Sequence, residues 1–172
     1  MRVLVTGGTG FIGSAVVKDL ISAGHEVIGL ARTNASAERL KSFGATPCEG
    51  SLEDVDGLKD MAKSAESVIH MAFAHDFANF GEAAEKDIRA IQALGEGLAI
   101  QATNNPFVVT SGVPLGVIGQ VATEEVDSDK DFPRKSEAAA LPFADCGVRV
   151  SIVRPSRFVH GIGDLHGFIP QL

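Results

Sequence analysis

Residues 1–13, MRVLVTGGTGFIG, decide how the rest of the chain is read. From Arg2 to Thr6 the run RVLVT has no polar alternation, the pattern of a strand buried on both faces. From Phe11 to Ala23 (FIGSAVVKDLISA) apolar residues return at helical spacing, and Gly24 supplies the stop. Between strand and helix, Thr6-Gly7-Gly8-Thr9-Gly10-Phe11-Ile12-Gly13 carries two overlapping spacings. GxGxxG falls on Gly8, Gly10 and Gly13, and GxxGxxG on Gly7, Gly10 and Gly13. A chain that turns tightly, brings backbone N–H groups against a pyrophosphate and packs a helix start on a strand needs residues without Cβ at those points. A glycine-rich turn without a ligand is the plain alternative, but the strand-loop-helix placement favours a dinucleotide site.

The alternation continues outward from that loop. Strands are expected at Glu26 to Leu30, Ala45 to Glu49, Ser67 to Met71, Phe107 to Thr110 and Val148 to Val153. Helices are expected at Ala35 to Phe43, Glu53 to Lys63, Phe80 to Thr103 and Arg134 to Cys146, with a polar loop over 112–133. Strands separated by helices of this length require parallel crossovers, so the expected fold is a doubly wound α/β domain, Rossmann in type, over residues 1–154. Residues 155–172, with three glycines and two prolines, read as the start of a substrate-binding segment that is cut short.

Composition narrows the classes. The 172 residues are 45% hydrophobic and 22% charged, as in a globular protein, and the net charge of −7 opposes a broad nucleic-acid footprint. No window is apolar for long enough to span a bilayer and no signal-peptide pattern opens the chain, so a cytoplasmic protein with a small-molecule substrate is expected. Cys48 and Cys146 lack ligand-like spacing, and no metal site is expected. There is no tyrosine and no tryptophan.

In a dinucleotide fold the residue reading the adenosine ribose lies about 20 residues past the glycines. An acid there accepts from the 2′-OH of NAD. Here the second strand runs into Arg32, then Thr33 and Asn34, with no acid before Glu38. A guanidinium pairs with a 2′-phosphate, which favours NADP over NAD; a solvated surface arginine is the alternative.

The loop TGGTGFIG, the segment VIHMA at 68–72 and VRPSRFVHG at 153–161 together resemble the extended short-chain dehydrogenase/reductases, the NAD(P)-dependent epimerase/dehydratases. The resemblance implies that Gly7, Gly10, Phe11, Ile12 and Gly13 hold the pyrophosphate. It places Ser51 and Leu52, where the family carries an Asp-Leu or similar pair, near the adenine. Met71, Ala72 and Phe73 would line the ribose, and Pro155, between Arg154 and Ser156, would lie by the nicotinamide. It also implies a homodimer through the helices at 80–103 and 134–146.

The family's chemistry uses a Ser or Thr after strand five and a Tyr-Lys pair four residues apart, the tyrosine exchanging a proton with the substrate oxygen during hydride transfer. Alignment through Ser136-Glu137-Ala138 puts Glu137 at the lysine position, Pro133 at the tyrosine position and Gly112 at the serine position. Ser111 and Thr110, just before it, are the remaining candidates to supply a proton through water.

Other groups could substitute for the missing tyrosine. His75 and Asp76 follow strand four, where a His beside a carboxylate can act as acid or base, against the plainer reading of an idle loop histidine. His160 and His166 face the same choice. His70 reads as a satisfied strand-end histidine, and the acidic run Glu124, Glu125, Asp127, Asp129 and Asp131 as a solvated face, with Mg²⁺ binding the lesser alternative. Two functions follow: an oxidoreductase acting on a small carbonyl or alcohol, or a non-catalytic dinucleotide-binding redox sensor or protein-interaction module.

Overall fold

The computed structural model describes residues 1–76, 78–112, 123–126, 132–156 and 159–161. Strands β1 (Arg2–Thr6), β2 (Glu26–Ala31), β3 (Thr46–Glu49), β4 (Ser67–His70), β5 (Pro106–Thr110) and β6 (Arg149–Val153) form one sheet in the order β3-β2-β1-β4-β5-β6. Every pairing is parallel; Leu4 lies opposite Ile28 on one side and Val68 on the other. The helices are α1 (Phe11–Ser22), α2 (Asn34–Ser42), α3 (Val55–Ser64), α4 (Phe80–Ala99) and the short α5 (Ser136–Ala140). This is the expected doubly wound α/β sheet.

The unbroken apolar run of β1 has a direct cause. Val3 and Val5 point into a core with Val17, Val27 and Leu40 under α1 and α2, whereas Leu4 points into the opposite core with Leu58, Ile91, Leu94, Leu98 and Phe107 under α3 and α4. A central strand covered on both faces has no position left for a polar side chain until its end, where Thr6 stands. The chain leaves β1 toward β2 and β3, then returns to place β4 on the other flank of β1. That reversal opens a crevice beyond the carboxyl ends of β1 and β4, where ligands of such sheets bind.

Two helices differ from the sequence reading. The long helix stops at Ala99, not Thr103, because Ala102 and Asn104 take left-handed backbone angles (φ 52° and 54°) that an α-helix cannot contain. The segment expected as one helix over 134–146 divides into α5 and a 3₁₀ turn at Leu141–Cys146. Pro142 has no N–H to donate, which ends the α-helical ladder there. Among the described residues no helix is long and apolar enough to cross a membrane.

Candidate functional site

The glycine loop lies at the mouth of the crevice. Gly7 has φ +73°, and a Cβ there would come within 2.7 Å of the Ala72 backbone nitrogen; at Gly13 a Cβ would sit 2.0 Å from the Gly7 carbonyl oxygen. These two glycines are required by the fold itself, one for the turn and one for seating α1 on β1. Gly10 is different. It is exposed, a Cβ added there would meet only the Gly7 carbonyl oxygen, at 3.3 Å, and it forms the N-cap of α1 with no side-chain cap. The first-turn N–H groups of α1 lack intrahelical acceptors, so the exposed backbone at Gly10 adjoins donors and the positive end of a helix dipole. A bare cradle of that kind fits a diphosphate.

The other sequence-derived positions follow the carboxyl ends of β2, β3, β4 and β6. Met71, Ala72 and Phe73 follow β4, half-buried; the N–H groups of Met71 and Ala72 donate to Thr6 Oγ1 at 3.3 Å each, which binds the loop after β4 to the end of β1. Arg32 follows β2 and is exposed, next to Thr33, which caps α2 by accepting from the Ser36 N–H. Ser51 accepts from the Glu53 N–H, and Leu52 packs against the core under α3. Pro155 is half-buried after β6, and Gly161 beyond it lies beside the Phe11 ring, a Cβ there meeting Cζ at 3.2 Å.

Beneath the crevice runs a buried polar chain that the sequence did not announce. Thr6, His70, Asp87 and Ser136 are all within about one per cent of full burial. Thr6 Oγ1 lies 2.8 Å from His70 Nδ1, His70 Nε2 3.1 Å from Asp87 Oδ1, and the Ser136 hydroxyl donates to Asp87 Oδ2 at 2.5 Å. Because Thr6 already accepts two N–H groups, its own hydrogen goes to Nδ1 of His70, leaving Nε2–H to donate to Asp87. Arg134 extends the chain: its Nε donates to Ser136 Oγ at 3.0 Å and its Nη2 to the Thr110 carbonyl at 2.9 Å. Both ring nitrogens of His70 are paired, Nδ1 with Thr6 and Nε2 with Asp87, so the expected satisfied histidine is what the structure shows.

The positions where the resemblance puts the catalytic pair hold something else. Pro133 is exposed. Glu137, 4% exposed, forms a two-pronged ion pair with Arg154, Nε to Oε1 at 2.8 Å and Nη2 to Oε2 at 2.6 Å. The Arg154 guanidinium holds the Glu137 carboxyl below its usual range; burial opposes this, and a hydrogen bond from the Ser111 hydroxyl adds to it. Ser111 is fixed in turn by its N–H donating to the Val153 carbonyl at 2.8 Å. Thr110 contributes its carbonyl to Arg134. The two candidate proton carriers are therefore at the crevice edge, Ser111 tied to a carboxylate.

Of the substitute groups, Asp76 accepts from the N–H groups of Ala78 and Asn79 and from the Asn79 side chain, bonds that lower its pKa and order the entry to α4. His75 rests edge-on against Phe73, with ring centres 5.4 Å apart. Asp76 thus serves the loop that leads into α4. His166, Asp127, Asp129 and Asp131 lie outside the described residues. Among the described residues no group of three His, Cys, Asp or Glu side chains converges as a metal site would.

Residues 3–136 match the model of the NAD dependent epimerase/dehydratase family. The chain belongs to that family. An uncharacterized protein of Schizosaccharomyces pombe is 44% identical over 175 residues, an alignment covering all of this chain and 58% of that protein, so the chain spans little more than half the length of this curated relative. Two solved structures illustrate the family's fold. MoeE5 in complex with UDP-glucose and NAD is 27% identical, with TM-score 0.70 over 90% of this chain and 54% of its own. Yeast methylglyoxal/isovaleraldehyde reductase complexed with NADPH is 21% identical, with TM-score 0.70 over 92% of this chain and 58% of its own, a likeness of fold. Nicotinamide dinucleotides of both kinds are thus bound by structural neighbours.

Proposed function

We propose that this chain binds a nicotinamide dinucleotide, NADP in preference to NAD, and acts as an oxidoreductase between that cofactor and a small carbonyl or alcohol. The observation that carries the reading is the exposed Gly10 at the N-cap of α1: Gly7 and Gly13 are fixed by severe backbone clashes, whereas a Cβ at Gly10 would make one tight contact and otherwise project from the start of the helix, where a ligand would lie. Gly7, Gly10, Phe11, Ile12 and Gly13 would hold the pyrophosphate, Met71, Ala72 and Phe73 the ribose, Ser51 and Leu52 the adenine, and Pro155 the nicotinamide side. Exposed Arg32 supports the NADP preference, since its position after β2 suits a 2′-phosphate.

The bound cofactor would supply or accept the hydride. Ser111 is the group we place on the substrate oxygen. With its hydrogen directed at the ionised Glu137, it accepts from the hydroxyl of a bound alcohol, whose proton would pass to water as hydride leaves; in reduction it rotates, gives its hydrogen to the alkoxide and recovers a proton from water. Glu137, held ionised by Arg154, orients this hydroxyl and is a positioning residue.

One observation favours the second reading, a binding module without turnover: the position of the family's cationic lysine holds a buried anion already neutralised by an arginine. Calorimetry with NADPH and NADH, followed by a panel of aldehydes and ketones with the preferred cofactor, separates the two. Binding with turnover supports the oxidoreductase, binding with none leaves the module, and no binding of either cofactor removes both. In the same titrations Arg32→Glu should move preference from NADPH toward NADH; an unchanged ratio would show Arg32 to be a surface charge.

A further inference from the structure

Arg134 belongs to none of the sequence-derived site positions, yet it stands between two of them. Its guanidinium carbon lies 4.1 Å from the centre of the Phe73 ring, and one Nη2 hydrogen is given to the Thr110 carbonyl, just before Ser111. A guanidinium has five N–H donors in a planar fork. Nε is committed to Ser136 and one Nη2 hydrogen to Thr110; the remaining Nη2 hydrogen and both on Nη1 meet no acceptor among the described residues. The side chain is only 17% exposed, so these donors are largely withdrawn from water, and burial lowers the Arg134 pKa while Asp87 opposes that.

The fork is also held in place. Asp87, fully buried and anchored by His70 and Ser136, has Oδ2 3.9 Å from Nε, and the ring of Phe73 closes one face of the guanidinium. Beyond Phe73 an aromatic surface continues: Phe73 to Phe80 at 5.6 Å and Phe80 to Phe132 at 5.5 Å between ring centres, Phe132 being 42% exposed. A fixed cation with spare in-plane donors at the edge of an apolar wall suits a ligand with an apolar body and a carbonyl or carboxylate oxygen.

We infer that Arg134 anchors the oxygen of the substrate through its uncommitted N–H edge, with the substrate's apolar part lying on Phe80 and Phe132. This rests on the oxidoreductase reading and narrows its substrate class to apolar, preferably aromatic, carbonyl compounds. Donors fixed before the reaction also stabilise negative charge that develops on that oxygen, which is where a chain without the usual tyrosine needs them.

Benzoate, a planar aromatic oxyanion, is a suitable probe. Titrated into the full chain and followed by calorimetry and by NMR line shifts, it should bind the wild-type protein and compete with benzaldehyde. Arg134→Met should weaken it by about tenfold to a hundredfold, and Arg134→Lys, which keeps the charge but not the planar fork, by a smaller factor. Affinity for NADPH, measured on the same samples, should stay within about twofold, because no donor of Arg134 is assigned to the cofactor. Should Arg134→Met fail to fold, the lysine variant decides. The inference is overturned if the wild-type chain does not bind benzoate, or if the folded variants bind it as tightly as wild type. Loss of NADPH binding by the wild-type protein would instead strike at the oxidoreductase reading, since benzoate needs only Arg134 and the aromatic wall.

Discussion

Gly10 and Gly13 stand three residues apart in one motif and answer to different physics. A Cβ on Gly13 collides with the Gly7 carbonyl at 2.0 Å, so Gly13→Ala must push α1 away from β1 and should lower stability by about 1–3 kcal/mol, with cofactor affinity falling as a secondary effect. A Cβ on Gly10 meets only the Gly7 carbonyl oxygen, at a tight 3.3 Å that a small shift relieves, and its φ of −71° and ψ of 177° suit any residue. Gly10→Val should therefore cost about 1–2 kcal/mol, from a poorer N-cap and the tight contact with Gly7, while NADPH binding is lost. Thermal melts alongside calorimetry distinguish the two; a Gly10→Val protein that binds normally would show that nothing occupies the cradle. The sequence displayed this motif because its spacing is local. It concealed Arg134 and the Thr6–His70–Asp87–Ser136 chain because their partners meet only after β1, β4, α4 and α5 assemble, and no spacing rule links them.

Among the elements, the strands and α1 were legible because each carries its cause within itself, a continuous apolar run or a helical stripe. The ends of α4 and the break after α5 were less so: left-handed angles at Ala102 and Asn104 are not written in an alanine or asparagine, whereas Pro142 did carry the signal of its break. α4 also holds a test of packing against propensity. Gly97 lies where α4 crosses α3, and a Cβ there would stand 2.4 Å from the Lys59 carbonyl oxygen and 2.7 Å from Ala62 Cβ. Gly81, in the first turn of the same helix, has nothing within 4 Å. Alanine is the better helix former by about 1 kcal/mol, so Gly81→Ala should stabilise by up to that amount. At Gly97 overpacking wins, and Gly97→Ala should destabilise by about 1–3 kcal/mol. Urea denaturation reads both, and equal signs would mean that α3 and α4 are not in close contact.

In the whole molecule, the sheet's last strand and the crossover before it are joined by charge as well as by backbone. Glu137 sits on α5 and Arg154 follows β6, and their ion pair, with the Ser111 hydroxyl on the same carboxylate, closes the far side of the crevice. The Glu137 pKa is depressed from 4.5 in the folded chain, so the pair's stabilisation is complete above that unfolded value and fades as pH falls through the folded one. Glu137→Gln keeps the shape but removes the carboxylate charge that faces the part-buried Arg154 guanidinium, a loss of about 3 kcal/mol near neutrality. For a domain of this size that is a drop of roughly 6–12 °C in Tm. The gap between wild type and Glu137→Gln should stay constant from pH 8 to about 5 and narrow as the solution is acidified further, because protonated Glu137 pairs no better than glutamine. Melting curves of both proteins across that range test it. A gap that holds its width well below pH 4 would mean that Glu137 contributes shape and hydrogen bonds, and that the charge at the family's lysine position does not secure α5 to β6.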